Sequence, residues 1–95
     1  MEWKKKTVDT SADVTTIINV PALVKGVYIN TALSAHTVVI KDGTTGDDLT
    51  IPANAAAGNY YDWEATRFEE SLIVDPNDSS TGSLTVFYTD LARHD

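Results

Sequence analysis

Apolar residues two positions apart occur in residues 24–30 and again in residues 37–42, and this period constrains the fold more than any other feature of the chain. The residues that carry it are Val27, Ile29, Val38 and Ile40. A period of two is typical of a β-strand with one face in a core. Residues 69–89 have the same form, a strand, a loop rich in turn residues and another strand. The sequence therefore predicts a small protein built from β-hairpins.

Turn residues divide the chain into about eight short strands, the spacing expected of a sandwich or a partly closed barrel. The predicted strands cover residues 3–8, 14–20, 24–30, 37–42, 48–51, 60–63, 71–75 and 83–89. Residues 53–58 are the one candidate for a helical turn, and no stretch provides the helix of a βαβ unit. We predict an all-β fold, a small antiparallel β-sandwich of jelly-roll-like form.

A chain of 95 residues predicts a single domain over residues 1–95. Within it, residues 1–8 form a possible edge strand and residues 91–95 a tail. Lys4, Lys5 and Lys6 are the one cluster of basic residues, and lysines of this kind protect an edge strand from pairing with another chain. A binding patch is the alternative for these lysines.

Charge and composition exclude several classes of function. The net charge of −7 disfavours nucleic-acid binding, because an acidic surface repels phosphate. The absence of cysteine excludes disulfides and thiolate metal sites. No apolar run approaches the roughly 18 residues that span a bilayer, and the N-terminus lacks the apolar segment of a signal peptide. We expect no membrane association and an intracellular origin.

Residues that could carry chemistry are few. The two histidines, His36 and His94, lack companions at metal-ligand spacing, and no nucleophile-elbow motif is present. The candidate acid–base pairs are Asp62 with Glu64 and Glu69 with Glu70, and solvated surface charge explains them more simply. Acidic loops at residues 42–48 and 75–78 could bind calcium, but turn chemistry requires the same residue types. We expect no enzyme activity, no catalytic or metal site and no cofactor.

Three apolar residues remain once each strand has one face in the core. Val39, Ile73 and Phe87 have the opposite parity to their core-facing neighbours, and a two-layer sandwich covers one side of each strand. Such a leftover set predicts an oligomer interface, which Tyr61 and Trp63 could extend. The other interpretation, in which a loop or the N-terminal strand covers these residues, stays open.

Tyr60, Tyr61 and Trp63 form a cluster of aromatic residues in the sequence. Exposed aromatic rings can stack on sugars or bases, so these three residues are candidates for ligand stacking. Aromatic residues of a small sandwich also serve as core or interface anchors. The role of core or interface anchor is the more common one in a small sandwich, so the sequence favours it over ligand stacking.

Three segments give the chain a family resemblance. LVKGVYINTALSAHTVVIKDGTT, TIPANAAAGNYYDW and RFEESLIVDPNDSSTGSLTVFY together resemble small β-sandwich virion proteins of tailed bacteriophages, over residues 23–88. The resemblance implies a non-enzymatic structural subunit of a phage particle, such as a head-decoration, knob or fibre-associated protein. It also implies a homo-oligomer, with a trimer favoured, and other virion proteins as partners. The expected location is the virion, after synthesis in the host cytoplasm. A carbohydrate- or surface-binding module is the alternative function.

Overall fold

The computed structural model describes residues 3–43, 48–76 and 79–91, in which every regular element is a β-strand. The eight strands are β1 (Lys4–Asp9), β2 (Thr15–Ile18), β3 (Ala22–Thr31), β4 (Val38–Asp42), β5 (Asp48–Ile51), β6 (Tyr60–Phe68), β7 (Leu72–Pro76) and β8 (Ser83–Asp90). Each predicted strand is present, and the predicted all-β class is confirmed. The largest change in a boundary is in β6, which continues beyond residue 63 to Phe68.

The strands pair in a nested order. β1 pairs with β8, β2 with β7, β3 with β6 and β4 with β5, all antiparallel. The chain is therefore one long antiparallel hairpin, rolled up so that β3 also pairs with β8 and β4 with β7. The result is a sheet of order β1-β8-β3-β6, here sheet A, and a sheet of order β2-β7-β4-β5, here sheet B. This is the strand order of an eight-stranded jelly roll, and it agrees with the predicted antiparallel sandwich, although the sequence did not predict the order of the strands.

The inner faces of both sheets meet in one apolar core. Its buried members are Val8, Val24, Val27, Ile29, Leu33, Val38, Ile40, Ile51, Ala55, Phe68, Leu72, Val74, Leu84 and Val86. Full burial of a side chain of this size contributes about 1.5–3 kcal/mol. The shortest dimension of the molecule, 18 Å, fits two sheets about 10 Å apart with a layer of side chains on each outer side.

A β-bulge at Gly26 interrupts the alternation of β3. The register of β3 against both β6 and β8 shifts between Val24 and Gly26, so Val24 and Val27 are both buried although their parities differ. The sequence predicts a bulge or a close backbone approach at this glycine, and the structure has both. Opposite the bulge, β6 contains Glu64 and Ala65 at φ 53° and 59°, a conformation that few non-glycine residues adopt.

Each sheet edge is protected against pairing with another chain. β1 is an edge strand of sheet A and carries the exposed Lys4, Lys5 and Lys6, residues of the type that disfavours pairing with another chain. The opposite edge, β6, carries the irregular segment at residues 64–65. The edge strands of sheet B, β2 and β5, have four residues each. We therefore expect contacts with other molecules to use the sheet faces.

The connection from β5 to β6 forms tight turns instead of the predicted helical turn. Asn54 and Gly58 have φ values of 60° and 91°, and the Gly58 amide donates to the carbonyl of Ile29 at 2.8 Å. Glycine adopts a positive φ at no steric cost, as the turn requires at Gly58. Residues 44–46 of the hairpin loop predicted at residues 43–46, together with Asp47, Asn77, Asp78 and the tail from residue 92, including His94, lie outside the described residues.

Across the described ranges we find no helix of the length and apolarity that crossing a membrane requires.

Candidate functional site

The three residues predicted to form one interface lie on two opposite sides of the sandwich. In the β4–β7 pair Val39 lies opposite Asp75 and Ile73 opposite Lys41, on the outer side of sheet B. Phe87 is in β8 and lies on the outer side of sheet A. All three side chains are half-buried and lie outside the core cluster, as their parity predicts. The prediction that the three residues form a single patch is wrong. Parity shows on which side of its strand a residue lies, but it does not reveal to which sheet the strand belongs.

Val39 and Ile73 are diagonal neighbours on adjacent strands of sheet B, close enough to form one apolar surface. Val14 extends this surface. It precedes β2, two residues before Thr16, which lies opposite Ile73, and it is 56% exposed. We call Val14, Val39 and Ile73 the aliphatic face.

The neighbours of the aliphatic face on the flanking strands have short side chains, and the charged residues beside the face form an ion pair. Thr16 and Thr50 are the exposed neighbours of Ile73 and Val39 on the flanking strands. Between them the Lys41 amine lies 2.7 Å from the Asp75 carboxylate. The face is therefore a surface of branched aliphatic and threonine side chains that also contains the Lys41–Asp75 ion pair.

The aromatic cluster of the sequence is divided by the pleat of β6. Tyr61 lies opposite the buried Val27 and packs with Trp63 against the core, whereas Tyr60 lies opposite Tyr28 on the outer side and is 43% exposed. The prediction of a platform formed by all three rings is wrong for Tyr61 and Trp63. Tyr60 remains a candidate, with different partners.

Those partners come from other strands of sheet A. Trp3, Tyr28, Tyr60 and Phe87 have outward parity and form what we call the aromatic face. Trp3, Tyr28 and Tyr60 are 40%, 37% and 43% exposed, and they are three of the four large exposed apolar side chains among the described residues. Sequence reasoning missed Trp3 and Tyr28, because only the strand order β1-β8-β3-β6 brings them to one surface.

Gly26 supports the position of the Tyr60 ring. A Cβ on residue 26 would lie 2.5 Å from the Tyr60 hydroxyl and 2.7 Å from Cζ, so the phenol lies directly over the glycine. The Tyr60 ring also meets Phe87 edge to face, with centroids 6.1 Å apart and planes at 62°. Burial raises the pKa of the Tyr60 phenol, and the nearby negative charge of Asp62 raises it further. The ring is therefore packed on one side and open to solvent on the other.

Lysine side chains border the other end of the aromatic face. The Lys25 amine lies 5.6 Å from the centroid of the Trp3 ring, within the range of a cation–π contact. Lys5 lies opposite Phe87 on the same side of the sheet. This end of the face is cationic although the whole chain is acidic.

A row of hydrogen-bonded polar side chains adjoins Tyr28. The Thr85 hydroxyl donates to Asn30 Oδ1 at 2.6 Å. Because a hydroxyl has one proton, the 2.9 Å bond between Thr7 and Thr85 must have Thr7 as its donor. Thr7 thus keeps oxygen lone pairs that can accept a further hydrogen bond.

The polar row continues into a shallow, open depression of about 450 Å³, which is lined by Thr7, Asp9, Thr31, Gly82 and Ser83. Ser83 donates to the Thr31 hydroxyl at 3.1 Å, so Thr31 keeps its own proton for another acceptor. Asp9 Oδ1 accepts from the Ser11 hydroxyl at 2.7 Å and from its amide at 2.9 Å. These two hydrogen bonds hold the pKa of the Asp9 carboxyl below its ordinary value of 3.8, and the bond from the Ser11 hydroxyl has the larger effect. The carboxylate is therefore ionised at neutral pH, and its other oxygen is available.

Several of the candidate acidic residues take part in local hydrogen bonds or ion pairs. Asp62 accepts the Glu64 amide at 2.9 Å, and Glu69 pairs with Arg67 at 2.7 Å. The turn at residues 69–70 donates two amides to Asp42. His36 is half-buried beside β4. Within the described ranges no group of three or more His, Cys, Asp or Glu is placed to hold a metal ion.

No protein-family model, curated protein or solved structure matched the chain. The resemblance to virion proteins of tailed bacteriophages therefore stays a prediction.

Proposed function

We propose that the protein is a non-enzymatic structural subunit of a phage particle, a capsid-decoration, knob or fibre-associated protein that assembles with copies of itself. The sequence resemblance supports this proposal. The jelly-roll strand order is compatible with it, because viral capsid and lectin domains use the same order. The resemblance favours a trimer and other virion proteins as partners, in the virion after synthesis in the host cytoplasm.

The observation that carries the proposal is the aliphatic face on a molecule with protected edges. Three β-branched side chains share the outer side of sheet B, beside threonines that have short side chains. Two β-sheets can pack face to face with the side chains of their facing surfaces interdigitated, so this face can pack against the same face of another copy. The broad side of the molecule measures 43 by 25 Å, and its area is larger than the roughly 800 Å² per partner that a stable interface covers.

Charge favours the aliphatic face over the aromatic face as the contact between copies. Interface centres are depleted in charged residues, because an unpaired charge loses its hydration on burial. On sheet B, Lys41 already pairs with Asp75. The aromatic face is instead bordered by Lys5 and Lys25 at one end and by the ionised Asp9 at the other.

Two substitutions test the assembly. Val39→Lys places an amine opposite Asp75, and Ile73→Glu places a carboxylate opposite Lys41, so each new charge has an opposite partner within the same subunit. We expect both variants to fold, and the double variant keeps the net charge of the chain. Because the longer charged side chains would hold the two faces apart and lose their hydration between copies, we expect the dissociation constant to rise about 100-fold or more in sedimentation equilibrium.

Matched controls are Ala57→Lys and Ala57→Glu, which make similar charge changes at an exposed residue of the β5–β6 connection. We expect the controls to assemble like the wild type. The proposal of self-assembly fails if the wild type is a monomer at about 100 μM, a concentration at which even weak specific complexes form. It fails for this face if the wild type assembles and the double variant assembles equally well.

The phage origin has a separate test in the genome. We expect the coding sequence to lie beside genes for a portal, capsid or tail protein. A location within a metabolic operon would contradict the virion role and leave the measurement of assembly untouched.

A glycan-binding module is the second candidate function. Tyr60 is the one member of the predicted aromatic cluster that lies on the outer side. The observation that favours this function is the polar row and depression beside the aromatic face.

A further inference from the structure

We infer that the outer side of sheet A is a binding site for a neutral glycan, with Tyr28 and Tyr60 stacking on sugar rings and the depression at Asp9 hydrogen-bonding to sugar hydroxyls. The inference rests on the second candidate function, whose site and ligand class it specifies, and it uses the side of the sandwich opposite to the aliphatic face.

The register places the two parts of the site in one line. Tyr60, Tyr28, Thr85 and Thr7 are successive cross-strand neighbours over the four strands of sheet A. Adjacent strands lie about 4.8 Å apart, so the row extends over about 15 Å. Thr7 also lines the depression, which continues the row toward Asp9. The site is therefore an open, elongated surface with aromatic rings at one end and hydrogen-bonding side chains at the other.

The polar end offers both kinds of hydrogen-bonding group. The Asp9 carboxylate and the Thr7 oxygen can accept, and the Thr31 hydroxyl can donate because its oxygen already accepts from Ser83. A sugar hydroxyl donates one hydrogen bond and accepts others, so it can satisfy neighbouring groups of both kinds. Bonds with the ionised Asp9 are the stronger ones.

The aromatic end offers apolar ring faces. Tyr28 and Tyr60 are 37% and 43% exposed, and the contacts of Tyr60 with Gly26 and Phe87 hold its ring in place before a ligand arrives. The C–H groups on one side of a sugar ring pack against the electron-rich face of an aromatic ring. A ring held in advance loses little conformational entropy on binding.

Charge disfavours an acidic ligand at the polar end of the site. Asp9 is negative in the depression, and the chain as a whole carries −7, so acidic polysaccharides and nucleic acids are repelled from the polar end. At the opposite end, Lys25 already interacts with the Trp3 ring.

The test is a titration of the wild-type protein with four neutral oligosaccharides: maltohexaose, cellohexaose, chitohexaose and mannohexaose. Amide and side-chain NMR shifts report the residues that bind. We expect at least one oligosaccharide to bind with a dissociation constant of about 1 mM or tighter and to shift residues of β8 and β3. We expect hexagalacturonate, which is anionic, to bind at least about tenfold more weakly.

Two variants and a matched control identify the site. We expect Tyr28→Ala and Asp9→Asn each to weaken binding about tenfold or more. Asp13→Asn makes the same chemical change at an exposed residue that does not line the depression, and we expect it to bind like the wild type. Thermal unfolding of each variant shows whether it is folded.

The inference is wrong if none of the four oligosaccharides binds, if binding survives both substitutions, or if hexagalacturonate binds best. Repeating the titration with the Val39→Lys/Ile73→Glu variant separates the two proposals. Because the substituted residues lie on sheet B, glycan binding by this variant should be unchanged whether or not the wild type assembles.

Discussion

Gly26→Ala should destabilise the protein by about 2–3 kcal/mol, the high end of the cost of adding a methyl group to a packed site. The new Cβ would collide with the Tyr61 carbonyl oxygen and would lie 2.5 Å from the Tyr60 hydroxyl. The phenol can move, but the carbonyl belongs to the neighbouring strand and cannot move without disturbing the β3–β6 pairing. For a domain of this size the loss corresponds to a fall in Tm of about 10–20 °C, measurable by circular dichroism.

A double-mutant cycle with Tyr60→Ala shows how much of the lost stability comes from the collision with the Tyr60 phenol and how much from the collision with the Tyr61 carbonyl. In the wild type, removing the Tyr60 ring loses its contact with Phe87 and uncovers Gly26. In the Gly26→Ala background the same removal also relieves a collision, so we expect a favourable coupling of about 1 kcal/mol. Ala57→Ser, at an exposed position, is the control and should stay within about 0.5 kcal/mol of the wild type. A Gly26→Ala protein as stable as this control would show that the close approach does not exist.

Strand positions could be predicted because alternation and turn residues are local properties of the chain. β5 has its predicted bounds, and the other predicted strands differ at their ends, with β6 changed most. The extension of β6 to Phe68 passes through Glu64 and Ala65, which have positive φ values. Neither residue is of a type that favours this conformation, so nothing local in residues 64–70 indicates that the strand continues.

Bulges explain the errors within strands. The sequence suggests Val14, Thr16, Ile18 and Val20 as one face of a strand, yet the register of β2 shifts between Thr16 and Ile18. Ile17 and Ile18 consequently both pack against the core, while Thr16 is exposed. At Gly26 the glycine itself indicates the bulge, whereas β2 has no such residue.

The composition of the two faces depends on which strands become neighbours. Parity correctly predicts that Val39, Ile73 and Phe87 lie outside the core. It cannot show that β4 and β7 belong to one sheet and β8 to the other, because that assignment follows from the nested pairing of the whole chain. The site on sheet A depends on the same pairing, since Thr7, Tyr28, Tyr60 and Thr85 come from four different strands. Sequence reasoning therefore identified individual side chains, and topology decided their partners.

Asp42→Ala should destabilise the protein by about 2 kcal/mol or more. Asp42 ends β4 and is 8% exposed, and its two carboxylate oxygens accept the Glu70 amide at 2.9 Å and the Glu69 amide at 2.8 Å. Hydrogen bonds to a charged group contribute about 1.5–3 kcal/mol each, and we take a value below their sum because residues 69 and 70 reach the solvent. Urea unfolding measures the loss, and hydrogen exchange should show weaker protection of these two amides than of the core strands.

Asp42→Asn distinguishes this structural role from the calcium site that the acidic loop at residues 42–48 suggests. The amide side chain keeps one acceptor, so we expect a loss of about half that of Asp42→Ala, whereas Asp13→Asn should leave stability within about 0.5 kcal/mol. Both oxygens of Asp42 already accept backbone amides, so adding calcium should not raise the Tm of the wild type. A calcium-dependent rise in the wild type that Asp42→Asn abolishes would show instead that the carboxylate is a metal ligand and that its contacts with the turn are secondary.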